Sequence, residues 1–390
     1  MRAQHPTETV VIEKMAAGGD AIAHAADGRV LFVSGALPGE TVEVEIHTTK
    51  KDFAKGVARL VLDAAPQRVD APCPALAAGC GGCGWQHVSA DGQRELKSDI
   101  VVDALRRTAK IAEPLVQVGG GVPAWGYRTS MRMAVAPNGR VGLRAGSSHR
   151  VVELMDCPVA HPALAALLPS LIVKGADEVS LRVSAATGEA TALLSKPNGR
   201  VSGLPSHVEV GPGAVVHETV AGRVLRVSAA SFFQSGPAAA ELLVEVVRDA
   251  CGEMLEGTGP VLDAYGGAGL FSAGLAIGQP ILVESSRSAC ADAVVNLPGA
   301  QVKCMPFEEW TPEPVKLAIV DPARAGLGAA AVDVLDGTGA ERVVLVSCDP
   351  VAMARDTRLL IDLGFAHAGS TVLDLFPNTP HVEVVTVFTR

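Results

Sequence analysis

Cys348 closes the run VVLVSCDP, where β-branched and aliphatic residues stop at Ser347-Cys348-Asp349-Pro350. Such a run reads as a buried strand, and the proline opens a helix over AMARDTRLLIDLG. A thiol at that junction has a route to a lowered pKa and to nucleophilic chemistry as a thiolate. On composition alone a packed core cysteine is the stronger reading, because free Cys is among the most buried residue types. Similar runs end in other reactive groups: LAIVDPARAG carries Asp321 and Arg324, and LDLFPNTPHVE carries Asp374, Phe376, His381 and Glu383. In VLDAYGGAGLFS a strand leads through Asp263 to Gly266, Gly267 and Gly269 and then into a helix. Those glycines permit a tight turn and close backbone approach to a ligand. Glu284, 21 residues beyond Asp263 at the end of ILVE, can accept hydrogen bonds from both hydroxyls of a ribose. Ser272 stands where the last glycine of a pyrophosphate fingerprint would be. A loop without that fingerprint and with an acid before it suits S-adenosylmethionine, which has no phosphates.

A second cluster is separate. Of the eight cysteines, Cys73, Cys80 and Cys83 fall together as C-x6-C-x2-C. In a reducing compartment this reads as a metal or iron–sulfur site rather than a disulfide framework. Zinc and iron–sulfur are level on the residues alone, since a second C-x2-C pair is missing.

The elements that must position these groups fall into three segments of the 390 residues. Residues 1–62 alternate in short runs divided by glycine turns and predict a small β-barrel. Residues 63–230 hold the cysteines and short strands such as RTSMRMAV and SLRVSAA, and predict a mixed, mostly antiparallel domain. A helix near 91–112 in this segment is expected to pack on the catalytic domain. Residues 231–390 alternate apolar runs with helices, the pattern of a doubly wound, Rossmann-like α/β sheet with its ligand site at the carboxyl ends of the strands. The fold class is therefore multidomain α+β.

Net charge is −9, which argues against a protein that simply coats nucleic acid. Between Arg94 and Arg150, however, ten Lys/Arg face four acids, a local +6 that would suit a phosphate-contacting face. An ordinary solvated surface explains such a charge run more often. No apolar run reaches membrane-spanning length. The opening MRAQHPTETV lacks the apolar core of a secretory signal, so a cytoplasmic setting is the expectation.

SFFQ (231–234), LDAYGGAGLFS, ILVES, DPARAG, LVSCDPVAMARD and LDLFPNTPHVE follow one another in the order and approximate spacing of the RNA uracil-5-methyltransferase family. DGRVLFVSGALPGETVEVEI resembles that family's TRAM RNA-binding module. CPALAAGCGGCGWQH resembles its iron–sulfur segment, with Cys157 of VVELMDCPVAHP as the fourth position. The resemblance implies Cys348 as nucleophile and Glu383 as base. It implies Gln234, Tyr265, Gly267, Gly269, Glu284 and Asp321 around S-adenosylmethionine and the uracil. It implies a [4Fe–4S] cluster on Cys73, Cys80, Cys83 and Cys157. The chain departs from the family at Gly266 (usually Cys), Leu270 (Asn), Leu345 (Tyr), Asp349 (Asn) and Ala352 (Thr), and at Pro306, an adenine-side polar position.

The implied chemistry accounts for these residue types. C5 of uracil is a poor nucleophile until a thiolate adds to C6. After methyl transfer a base must remove the C5 proton so that the thiol can leave. A paired or stacked uridine must first be pulled out, with Phe232 or Phe233 to stack on it or fill the vacated space. The expected activity is methylation of C5 of an RNA uridine, in 23S rRNA rather than tRNA, by a monomer. A catalytically lapsed RNA-binding or assembly protein is the alternative from another class, and a cytosine or protein methyltransferase on the same fold is a third.

Overall fold

The computed structural model describes residues 5–146, 148–257 and 259–390. Thr7–Val11, Thr41–Thr49, Phe53–Asp63, Val30–Ser34, Ala21–His24 and Lys14–Met15 hydrogen-bond in that order as one six-stranded sheet. The period-two alternation turns Val42, Val44 and Ile46 inward, onto Leu31, Val33 and Ala54. Buried Glu40 accepts from the amides of Leu37 and Ala65 and from Arg68, tying this sheet to the segment after it.

A second six-stranded sheet runs Val151–Glu153, Val141–Arg144, Ser130–Val135, Glu178–Val183, Ala190–Leu194, Val208–Val210. All its pairs are antiparallel except the last.

The largest sheet has eight strands: β1 Val116–Gly121, β2 Val261–Ala264, β3 Pro280–Glu284, β4 Gln301–Cys304, β5 Leu317–Val320, β6 Arg342–Ser347, β7 Ala366–Asp374 and β8 Glu383–Thr389. Their order is β4-β3-β2-β5-β6-β8-β7-β1. From β4 to β6 the pairs are parallel, and β8 inserts antiparallel between β6 and β7. Strands β2 and β5 are buried along their whole length, as central parallel strands covered on both faces must be. Separate apolar layers cover the two faces, one around Leu262, Val320 and Met353 and the other around Leu243, Phe271 and Val346.

Residues 90–121 complete this sheet although they precede the expected start of the catalytic segment at 231. Strand β1 pairs in parallel with the outer edge of β7. At Gly119 a side chain would come within 2.7 Å of Leu373, so only a glycine allows the strands this close. Ser89 caps the preceding helix, Ala90–Ala104, by accepting from Gly92 N at 3.2 Å. Val101 of that helix and Leu105 and Ala109 beyond it enter the core of the large sheet, while Leu96 and Ile100 pack on the N-terminal sheet. The helix thus sits between two units.

Buried polar pairs lock the helix to the loop after β7. Lys97, fully buried, donates to Asp374 at 2.5 Å and to Phe376 O at 3.1 Å. Gln93 accepts from Asn378 N at 2.6 Å.

Candidate active site

Parallel strands deliver their carboxyl ends to one edge, and β8, running the other way, delivers its first residue there. The register aligns Ala264 with Val283 and Val320, Val320 with Leu345, and Leu373 with Glu383. The residues just beyond Ala264, Val283 and Val320 are Tyr265, Glu284 and Asp321; Cys348 follows the end of β6 at Ser347, and Glu383 starts β8. Together with Gln234 and Gly267 they line one cleft of about 940 Å³. Of the expected site residues in this region, only Gly269 does not reach the cleft wall. With φ +89° it precedes the helix at Leu270, and any side chain there would strike Leu297 at 2.7 Å. Its glycine serves the turn and its packing.

The glycine loop after β2 is braced from within. Glu284 accepts from Gly267 N at 3.0 Å and from Ser286 N at 2.6 Å, which orients the carboxylate across the loop. Gly267 adopts φ +56° with open space where a side chain would project. Tyr265 holds a left-handed φ of 59°, unusual for an aromatic residue. Its hydroxyl donates to Glu308 at 2.7 Å and its ring lies 5.4 Å from that of Phe307. Gly266 has no room for a side chain: a Cβ would meet Leu282 at 2.7 Å.

Electrostatics correct the expectation for Cys348. The strand–helix junction suggests a lowered thiol pKa, but burial, then Glu383 and Asp321, push the thiol up to about 11, with Arg324 opposing the rise. The helix Pro350–Asp362 cannot help, because Asp349 caps it and accepts from Val351 N at 3.0 Å and Ala352 N at 2.8 Å. The amides that would stabilise a thiolate already face a carboxylate.

Burial also raises the nearby acids. Asp321 rises to about 7, helped by Asp263 and Glu284. Glu383, 4% exposed, rises well above the ordinary carboxylate range through burial and then Asp321, with Arg324 opposing. Asp263 rises to about 6 through burial, although Ser272 N donates to it at 3.1 Å. His381 lines the cleft beside Phe376, their rings 6.1 Å apart, and burial followed by Arg324 drives it down to about 4. Its imidazole is therefore neutral near pH 7.

Two neighbouring phenylalanines separate clearly. Both border the cleft, but Phe233 is 8% exposed and packs in the apolar layer, whereas Phe232 is 74% exposed. The central sheet also lines the cleft, through Arg132, Arg182 and Thr191, with Arg128 just before its strand Ser130–Val135. Sequence reasoning gave Arg128 and Arg132 only a place in a basic segment and gave Arg182 none.

Away from the cleft, Cys73, Cys80, Cys83 and Cys157 line one pocket with Trp125, Leu143 and Val159. Cys83 is raised to about 11 by burial and then by Cys157. Among the described residues no group of three or more His, Cys, Asp or Glu is arranged to hold a metal ion. The expected iron–sulfur site is thus a shared thiol pocket rather than a formed coordination sphere. No described helix is long and apolar enough to cross a membrane.

Residues 6–58 match the TRAM domain family. An uncharacterized RNA methyltransferase of Streptomyces avermitilis is 33% identical, with 97% of each chain covered. The 23S rRNA (uracil(1939)-C(5))-methyltransferase RlmD of Methylococcus capsulatus is 33% identical over 99% of this chain and 98% of that one. The solved structure of Pyrococcus abyssi tRNA (uracil-54, C5)-methyltransferase in complex with S-adenosyl-L-homocysteine superposes with a TM-score of 0.74 at 22% identity, covering 98% of this chain and 100% of the other. At that identity the match establishes the shared fold.

Proposed function

The chain belongs to the RNA (uracil-C5)-methyltransferase family, and we propose that it methylates C5 of a uridine in 23S rRNA through a covalent Cys348–C6 adduct. The observation that carries this reading is the convergence of Cys348, Glu383, Asp321, Glu284 and Phe232 on one cleft. S-adenosylmethionine supplies the methyl group, and Glu284, Gly267, Tyr265 and Gln234 are the residues to hold it. A braced carboxylate suits a ribose, and the open space over Gly267 suits close approach to a ligand.

On the substrate side, Phe232 gives an extruded uracil a stacking face. Asp321, with its pKa raised to about 7, can donate or accept a hydrogen bond at the polar edge of the ring. Cys348 Sγ forms a bond to C6 as its thiol proton passes to solvent, the C5=C6 electron pair moves toward C5 and the C4 oxygen as an enolate, and C5 becomes nucleophilic. After the methyl group passes to C5, with S-adenosylhomocysteine as the leaving group, Glu383 in its ionised form takes the C5 proton, the electrons return to the ring and the C6–S bond breaks to release the Cys348 thiolate. A base whose pKa is raised holds that proton well, which suits the elimination step.

Four thiols, Cys73, Cys80, Cys83 and Cys157, line one pocket, a donor set that suits either a zinc ion or a [4Fe–4S] cluster; the family resemblance favours the cluster. It would bind the cysteine segment to the central sheet, a structural role, because the methyl transfer needs no electron.

The test uses the full chain, S-adenosylmethionine and rRNA, with mass spectrometry of the nucleosides. The expected product is 5-methyluridine, absent with Cys348→Ala and replaced by a trapped RNA adduct with Glu383→Gln. Unchanged turnover in Cys348→Ala removes the covalent route. Product on tRNA alone moves the substrate to the other RNA class.

A further inference from the structure

Phe232 poses a physical question: a large apolar ring stands exposed between Ser231, 3% exposed, and Phe233, 8% exposed. A loop residue presented this way holds its direction only if the backbone before it is fixed. The structure fixes it from two sides with buried polar groups.

From the central sheet, Arg182 reaches across the cleft wall. Its guanidinium donates to Ser228 O at 3.2 Å and to Ser231 O at 2.8 Å, so its planar fork spans the turn that ends at Phe232. Arg182 is 8% exposed, and Glu218 and Asp292 supply the negative field that offsets its burial. From the other side, Asp292 of the helix Arg287–Asn296 accepts from Ser228 N at 2.8 Å, Ser228 Oγ at 2.7 Å and Ser231 Oγ at 2.6 Å, and it also pairs with Arg226. Ser231 Oγ lies 2.5 Å from Ser288 Oγ of the same helix. Ser286, whose amide holds Glu284, caps this helix.

We propose that Arg182 is a positioning residue for the RNA: with Asp292 it clamps the Ser228–Ser231 turn and so aims Phe232 into the cleft as the stacking face for the target base. This rests on the reading of the cleft as an RNA site. The central sheet therefore does more than wall the cleft. It contributes through the backbone of a loop that belongs to the catalytic unit. Lysine cannot replace arginine here, because one ammonium on a flexible stem does not reproduce a fork held on two carbonyls.

The test is a double-mutant cycle on binding of fluorescein-labelled oligouridine, read by anisotropy without any turnover. Phe232→Ala is expected to weaken binding about tenfold, as loss of one base–aromatic stack does. Arg182→Lys is expected to weaken it by a similar factor, about tenfold if the stack is lost. In the Phe232→Ala background, Arg182→Lys should then add less than about twofold, since its effect runs through the ring it positions. A full further loss in that background overturns the proposal, as does unchanged binding in Arg182→Lys alone. If Arg182→Lys fails to fold, Ser231→Ala carries the same cycle, because it removes the hydroxyl that Asp292 holds. Hydrogen exchange of the free protein supplies an independent reading: faster exchange of the Ser228 amide in Arg182→Lys supports the clamp, and unchanged exchange overturns it. Failure to methylate any RNA would sink the proposed activity, while the binding cycle and the exchange would still decide the role of Arg182.

Discussion

Alkylation of Cys348 in the free protein tests the electrostatic account of the proposed nucleophile directly. With the thiol pushed up to about 11, the thiolate fraction at pH 7.5 is about 0.03%, against about 10% for an ordinary cysteine of pKa near 8.5. That ratio of about 300 is partly offset, because a more basic thiolate is more nucleophilic. With a Brønsted slope near 0.45, the difference of about 2.5 units returns roughly a factor of 13. Cys348 should therefore react with iodoacetamide roughly 20- to 30-fold more slowly than an exposed cysteine at pH 7.5. Its rate should climb about tenfold per pH unit through pH 9 without a plateau. Peptide mass spectrometry follows the site, and Arg324→Met should slow it further by removing the charge that opposes the rise. A plateau at or below pH 8, or faster alkylation in Arg324→Met, would refute the reasoning and restore a thiolate activated in the resting protein.

Three other outcomes follow from the buried charges. Lys97→Met leaves Asp374 buried without its partner and should cost about 3–5 kcal/mol in urea unfolding, much of it recovered in Lys97→Met/Asp374→Leu. Glu383 has a raised folded pKa, so its favourable contribution is present below the unfolded value and is lost as pH rises through the folded one. Glu383→Gln should thus be more stable than the parent chain at pH 8 by more than about 1 kcal/mol, with the gap closing toward pH 4 in calorimetry. Binding the sulfonium cation of S-adenosylmethionine should lower the raised acids and release protons near pH 7, whereas neutral S-adenosylhomocysteine should release fewer. Calorimetry in two buffers of different ionisation enthalpy measures that difference, and equal proton release for both ligands would contradict it.

Much of the catalytic rim was legible because parallel α/β topology leaves little choice. Apolar runs that lead into Gly267, Glu284, Asp321 and Cys348 must, if they pair in parallel, deliver their ends to one edge. The edge strand β1 was not legible. VQVGGG has too little apolar alternation to announce a strand, and its place depends on glycines fitting against Leu373 and Thr371. The exposure of Phe232 rather than Phe233 was likewise unreadable, since two identical side chains side by side are sorted only by the packing around them. Arg182 sits in the alternating strand SLRVSAA, where an arginine reads as a solvent-facing residue. Its burial depends on Ser228, Ser231 and Asp292, all more than forty positions away.

The error about the Cys348 thiol has the same physical root. A strand end beside a helix N-terminus predicts a depressed pKa only if the helix amides remain free and no acids converge. Here Asp349 occupies the amides, and the topology that brings a nucleophile to the rim also brings Asp321 and Glu383. A rim assembled from the ends of consecutive strands concentrates whatever charge those ends carry. In this chain that charge is mostly negative, so burial together with neighbouring acids raises Asp321, Glu383 and the Cys348 thiol. Arg324, on the loop directly after Asp321, opposes the rise of both the thiol and Glu383. Under the proposed mechanism, activation of the thiol belongs to the loaded cleft, where a cationic cofactor and an ordered uracil would change the field that Cys348 experiences. The raised Cys348 thiol and the raised Glu383 carboxyl, the proposed nucleophile and base, are two consequences of one arrangement: titratable groups buried among acids that ionise readily only when a positive charge joins them.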